Sequence, residues 1–238
     1  MASSNISHPF YPRDVPVPHY VPNIYSTYQL IPPALCTFGL IFWVVWRYTH
    51  TDKFGRALGG WEKAALSWWG LCGCIHMILE GWISLNSRTF AGRNDLFSQM
   101  WKEYAMGDSR YAHGDACITI MEGLTAWLEG PGCFLIVWAF LNRHPMRHVL
   151  QFGVSIGQFY GTLLYFFTEI FDDFAHGPRF HPYYWWFLVF GLNSPWLVVP
   201  PILIYQSWKE LNKAQKGLDK STGFNIGNGK ERIKNKSG

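Results

Sequence analysis

From Phe180 to Trp208 the chain carries no Asp, Glu, Lys or Arg, and that run limits the possible folds more than any other feature. About 20 apolar residues at 1.5 Å rise cross the roughly 30 Å hydrocarbon core of a bilayer. A helix over 183–208 meets that length, and so does one over 149–168, which is also free of charge. Three further segments are candidates. Residues 30–48 have Pro32 and Pro33, which suit a helix start, and Trp43, Trp46 and Tyr48 as interfacial anchors. Residues 64–85 contain His76 and Glu80. Residues 115–141 contain Glu122 and Glu129 and are interrupted by Gly130, Pro131 and Gly132, so a kink at Pro131 is expected. The reading is an all-α, polytopic membrane protein: a five-transmembrane-helix bundle over 30–208. A Pro- and Tyr-rich extended segment, 1–29, precedes it, and a basic tail, 209–238, expected to be disordered, follows it. The polar stretch 86–114 predicts a short amphipathic helix over one mouth of the bundle.

Charge placement supports this reading. Charged residues are 15% of the chain, against about 25% in a typical soluble domain. The net charge of +4 comes from Lys and Arg in connections and the tail, not from one folded basic face, which excludes a nucleic-acid-binding domain. With five spans, Arg47, Lys53, Arg56, Lys63, Arg143, Arg147 and the basic tail fall on one side. Arg13, Arg88, Arg93, Lys102, Arg110 and Arg179 fall on the other. The positive-inside rule then puts the tail in the cytosol and the N-terminus across the membrane, where Asn5 and Ser7 frame a glycosylation sequon. No signal-peptide pattern opens the chain, so the first span is expected to serve as the targeting signal. The five cysteines, Cys36, Cys72, Cys74, Cys117 and Cys133, all lie in apolar stretches. They read as small hydrophobes, with neither zinc nor a disulfide expected.

Ionisable residues at hydrocarbon depth cost roughly 2.5–3.5 kcal/mol each on insertion scales, so they need a cavity or a partner. His76 and Glu80 stand four apart and share a helix face. Glu122 and Thr125 share a face of another helix. A histidine changes charge near neutral pH, which makes these residues candidates for acid–base chemistry. Helix-to-helix hydrogen bonding is the simpler alternative. It is the preferred reading for Glu129, which is placed near the interface. With no second intramembrane histidine and no cysteine pair, a metal site is not expected. Asn193 needs a polar partner, Pro195 frees a carbonyl near residue 191, and the Trp196 ring either packs or faces a cation. Gln158, Tyr160, Thr162, Tyr165, Thr168 and Glu169 would line a partly polar cavity. Gly153 and Gly157 form a G-x-x-x-G pair, read as a close helix contact within the chain or in a homodimer, or as local packing alone.

Six segments carry a resemblance: GCIHMILEGW at 73–82, LFSQMWKEYAMGDSRY at 96–111, CITIMEGLTA at 117–126, NRHPMRHVLQ at 142–151, GQFYGTLLYFFTE at 157–169 and HPYYWWFLVFGLNSPWLVVP at 181–200. Over about 8–205 the chain resembles the emopamil-binding protein family of sterol Δ8–Δ7 isomerases. The resemblance implies five membrane helices in the endoplasmic reticulum, extending to the nuclear envelope, with a cavity open to the bilayer. It assigns function to His76, Glu80, Glu122, Thr125, Asn193 and Trp196, with Tyr111 near the cavity mouth. Glu129 stands where the family has an apolar aromatic residue. Ser194 and Pro195 also differ, which bears on ligand range more than on reaction type.

The implied reaction moves a C8=C9 double bond to C7=C8, by proton addition at C9 and loss from C7 through a carbocation at C8. It is redox-neutral and calls for no cofactor. The expected roles are His76 with Glu80 at one ring face and Glu122, positioned by Thr125, at the other, with donor and acceptor left open. Asn193 is expected to hydrogen-bond Glu122 or His76, and Trp196 to stabilise the cation. The partners implied are a Δ8-sterol, amphipathic amines and the bilayer. The rival class is a non-enzymatic sterol- or amine-binding membrane protein. A transporter is disfavoured by the lack of an inverted repeat.

Overall fold

The computed structural model describes residues 7–223, so the sequon at Asn5 lies outside the described residues. The described chain is all-α apart from one isolated bridge between Thr51 and Ala57. Its elements are α1 (Thr27–Tyr48), α2 (Gly60–Cys74), α3 (Gly81–Asn86), α4 (Leu96–Ala105), α5 (Arg110–His113), α6 (Ala116–Leu124), α7 (Gly130–Leu141), α8 (Arg147–Phe171) and α9 (Leu192–Ser221). Wider, π-helical turns fuse some of these into longer rods. Ile75–Glu80 joins α2 to α3, Thr125–Glu129 joins α6 to α7, and Pro182–Gly191 leads into α9.

Three rods, Thr27–Tyr48, Ala116–Leu141 and Pro182–Ser221, are long and apolar enough to cross a bilayer, and the chain is a polytopic membrane protein. The α2–α3 rod and α8 are long as well but carry a polar stripe turned inward. On α8 that stripe is Gln151, Ser155, Gln158 and Glu169, all buried. Gln151 shows its use: it accepts from Trp69 Nε1 at 3.2 Å and donates to Ser207 Oγ at 2.9 Å, tying α2, α8 and α9 together. Large apolar side chains such as Leu40, Ile120, Phe167 and Val198 face outward, as lipid-facing residues do.

Several helix expectations need correction. The first helix starts a turn earlier than 30, at Thr27, because the Gln29 side chain accepts from the Ser26 backbone N–H at 2.9 Å and caps it. Pro32 and Pro33 therefore lie inside the helix, not at its start. The third apolar segment is continuous through Gly130–Gly132 rather than broken. Its irregularity sits in the turn before Pro131, where the Gly130 N–H reaches back five residues to the Thr125 carbonyl. A residue without an N–H cannot close the ordinary i−4 bond, and the widened turn absorbs that loss upstream. The last helix runs on to Ser221, into the segment expected to be disordered. Its exposed end carries Lys213–Glu210 and Gln215–Asp219 side-chain pairs, at 2.6 and 2.7 Å, which support an exposed helix.

The amphipathic helix expected within 86–114 is α4, capped by Asp95, whose Oδ1 accepts from the Ser98 N–H at 3.1 Å. The extended segment before α1 is strapped onto it. Buried Lys102 donates to the carbonyls of Val21 and Arg93 and to Asn94 Oδ1, at 2.7, 2.7 and 2.8 Å. Gln99 Oε1 accepts from the N–H groups of Ile24 and Tyr25, each at 2.8 Å. Phe10 and Tyr20 of that segment pack into one core with Phe90, Tyr111 and Trp185. α4 is thereby fixed as a floor under the space between the rods.

Candidate functional site

All three π-helical turns border one internal space. Glu80 closes the first and His76 stands near its start; Thr125 opens the second, one turn after Glu122; the third ends just before Asn193 and Trp196. Single π turns in otherwise regular helices often mark functional sites. Here the first two pack against each other. Gly130 permits that approach, because a Cβ there would stand 3.4 Å from His76 Cβ and closer still to Met77.

His76 Nδ1 lies 2.6 Å from Glu80 Oε2, and Gln158 Nε2 donates to His76 Nε2 at 2.9 Å. With that amide orientation the ring proton sits on Nδ1, shared with Glu80. His76 is only 2% exposed and Gln158 3%, so both partners are buried. Glu122, from α6, is also buried and accepts a hydrogen bond from the Tyr111 hydroxyl of α5. Trp196 stacks at a tilt against His76, ring centroids 6.0 Å apart, with Trp68 behind it at 5.1 Å.

Two cavities meet at these groups. The larger is apolar and is lined by α1, by Met100, Trp101 and Tyr104 of α4, and by Leu188 and Leu192. The smaller is lined by His76, Thr125, Glu129, Gln158 and Thr162. Glu80, Tyr111, Glu122, Asn193 and Trp196 line both. A third apolar cleft between α1, α2 and α4 shares Ala34, Phe38, Ile75, Leu79 and Met100 with the larger cavity. It extends to Ile78 and Leu96, which are exposed on the outer surface.

All seven residues singled out from sequence, His76, Glu80, Tyr111, Glu122, Thr125, Asn193 and Trp196, line this space. Some of their expected contacts differ. Asn193 bonds neither Glu122 nor His76; its Nδ2 donates to Tyr104 Oη and to the Val189 carbonyl, each at 2.6 Å. Glu122 is held by Tyr111 and not by Thr125, which makes no hydrogen bond to it among the described residues. Tyr111 is buried beside the carboxyl rather than standing at a mouth. Gln158, expected only to line the cavity, is a direct partner of His76. Tyr104 links Asn193 to Tyr165, whose hydroxyl is 3.2 Å away; no sequence spacing signalled it. Glu129 turns into the smaller cavity.

An all-α membrane protein with carboxyls, a histidine and a tryptophan around a lipid-accessible apolar chamber belongs to the class that does acid–base work on, or binds, a lipid-soluble ligand. Comparison with known proteins narrows this. The family model EXPERA, the expanded EBP superfamily, matches residues 96–207. The 3-beta-hydroxysteroid-Delta(8),Delta(7)-isomerases of Cavia porcellus and Rattus norvegicus are 41% and 40% identical, over 89% of this chain and 92% of theirs. A probable 3-beta-hydroxysteroid-Delta(8),Delta(7)-isomerase of Oryza sativa subsp. japonica is 36% identical over 88% of this chain and 94% of its own. The chain belongs to the 3-beta-hydroxysteroid-Delta(8),Delta(7)-isomerase family within the EXPERA superfamily.

Proposed function

We propose that the chain moves a sterol C8=C9 double bond to C7=C8 by adding a proton at C9 and removing one from C7. It is an enzyme of sterol biosynthesis. The observation that carries this reading is the meeting of an apolar cavity and a polar one at Glu80 and Glu122, carboxyls from two different rods. The apolar cavity suits a ring system; the polar one suits proton traffic. In this reading His76 with Glu80 handles the proton at one ring face and Glu122, oriented by Tyr111, at the other. The positive charge that develops at C8 faces Trp196 and the carboxyls, a preorganised environment. The same charge pattern suits amphipathic amines, which would compete with the sterol.

The five spans are α1, the α2–α3 rod, the α6–α7 rod, α8 and the final rod. The basic connections support a lumenal N-terminus and a cytosolic tail in the endoplasmic reticulum membrane. The apolar cleft between α1, α2 and α4 supports sideways passage of the sterol from the bilayer. Purified protein in liposomes containing a Δ8-sterol tests the reading. The Δ7 product should accumulate without added cofactor and should fall as an amphipathic amine is titrated in. Saturable sterol binding with no product would favour the non-enzymatic binder instead.

A further inference from the structure

Glu129 has no role in the reaction as described above, yet it occupies a costly position. It ends the π-helical turn of the α6–α7 rod, and its side chain crosses toward α8. Oε1 rests against Gly157, filling the space a Cβ would take there. Oε2 is buried and has no hydrogen-bond partner among the described residues. The carboxyl faces the same cavity as His76, Glu80, Glu122 and Thr125. A carboxyl that merely glued helices together would hydrogen-bond the neighbouring helix, and this one does not. Gly157, the second glycine of the G-x-x-x-G pair, thus receives a side chain of its own molecule, whereas Gly153 has open space where its Cβ would be.

The chemistry leaves a task unassigned. The acid forms the C9–H bond using the C8=C9 electron pair and is left without its proton. The base takes the C7 proton while the C7–H electrons become the C7=C8 bond. Each turnover ends with the base protonated and the acid bare, so before the next the base must give up a proton and the acid must regain one. No oxidant, reductant or co-reactant is needed for this.

We propose that Glu129 is the proton-return group of the chamber, accepting the proton from the spent base and passing it to the spent acid by way of the polar cavity. This rests on the isomerase reading. Glu129 touches no reacting atom and acts only through His76, Glu80 and Glu122. Its contribution therefore falls between turnovers, not within one.

Rapid-quench kinetics in Δ8-sterol liposomes test this with sterol in excess over protein. Glu129→Gln should form about one equivalent of product at close to the wild-type rate and then slow at least about tenfold, while wild type shows no such break. Gly157→Ala should show the same break, because the new methyl displaces the Glu129 carboxyl; Gly153→Ala should behave as wild type. A small carboxylic acid such as formate should restore later turnovers of Glu129→Gln. The proposal is overturned if Glu129→Gln slows the first and later turnovers equally, loses the first altogether, or shows no break. It is also overturned if Gly157→Ala shows no break. Absence of product from wild-type protein would instead remove the isomerase reading on which it rests.

Discussion

Glu122 takes its orientation from one phenolic hydrogen bond, and that makes Tyr111 the most informative single side chain in the site. A hydrogen bond is worth about 0.5–1.5 kcal/mol between neutral groups and about 1.5–3 kcal/mol to a charged one. Tyr111→Phe removes the donor and little else, so turnover should fall roughly 3- to 100-fold, with sterol binding nearly unchanged; steady-state assays at several sterol concentrations separate the two effects. Trp196 allows a cleaner test of ring electrostatics than most tryptophans, since its Nε1 has no hydrogen-bond partner among the described residues to lose. A desolvated cation over a ring gains about 2 kcal/mol. Trp196→Phe should therefore keep much of the turnover, and Trp196→Leu should fall a further ~10- to 30-fold. Equal rates in the two variants would remove the ring from the cation's environment.

Local register along one helix was legible in the sequence; contact between helices was not. The four-residue spacing of His76 and Glu80 was enough to put them together, and their distance of 2.6 Å bears that out. Tyr111 reaching Glu122, Gln158 reaching His76 and Asn193 choosing Tyr104 all depend on where separate rods come to rest, which no spacing reports. The prolines pointed to the right places but suggested the wrong distortion. Pro131 and Pro195 each follow a widened turn that keeps the rod continuous, so donor loss is absorbed before the proline and not by a break at it. The loop after α8 makes a prediction at this scale. His176 Nδ1 lies 2.8 Å from Glu169 Oε2, and this hydrogen bond raises the His176 pKa above its ordinary value despite partial burial. A raised histidine contributes stability fully below its unfolded value, about 6.5, and loses it as pH rises through the folded one. Thermal unfolding in detergent should show the gap between wild type and His176→Asn closing from pH 6 upward. A gap that widened with pH would contradict the pairing.

At the scale of the molecule, each part has its place relative to one chamber. The outer helices are faced with apolar side chains, and the strapped segment with α4 forms the floor, Lys102 holding three acceptors. The rods meet at turns wide enough to bring carboxyls from two sides into one space. A carboxyl at hydrocarbon depth is expensive, and the proposed reaction would give two of them a use there. The most direct test is sterol mass spectrometry on isomerase-deficient cells expressing wild type, Glu80→Gln or Glu122→Gln at matched membrane levels. Δ8-sterol should fall and Δ7-sterol rise with wild type, and each amide variant should lose about 100-fold or more of that conversion. Wild-type conversion by both amide variants would contradict the account.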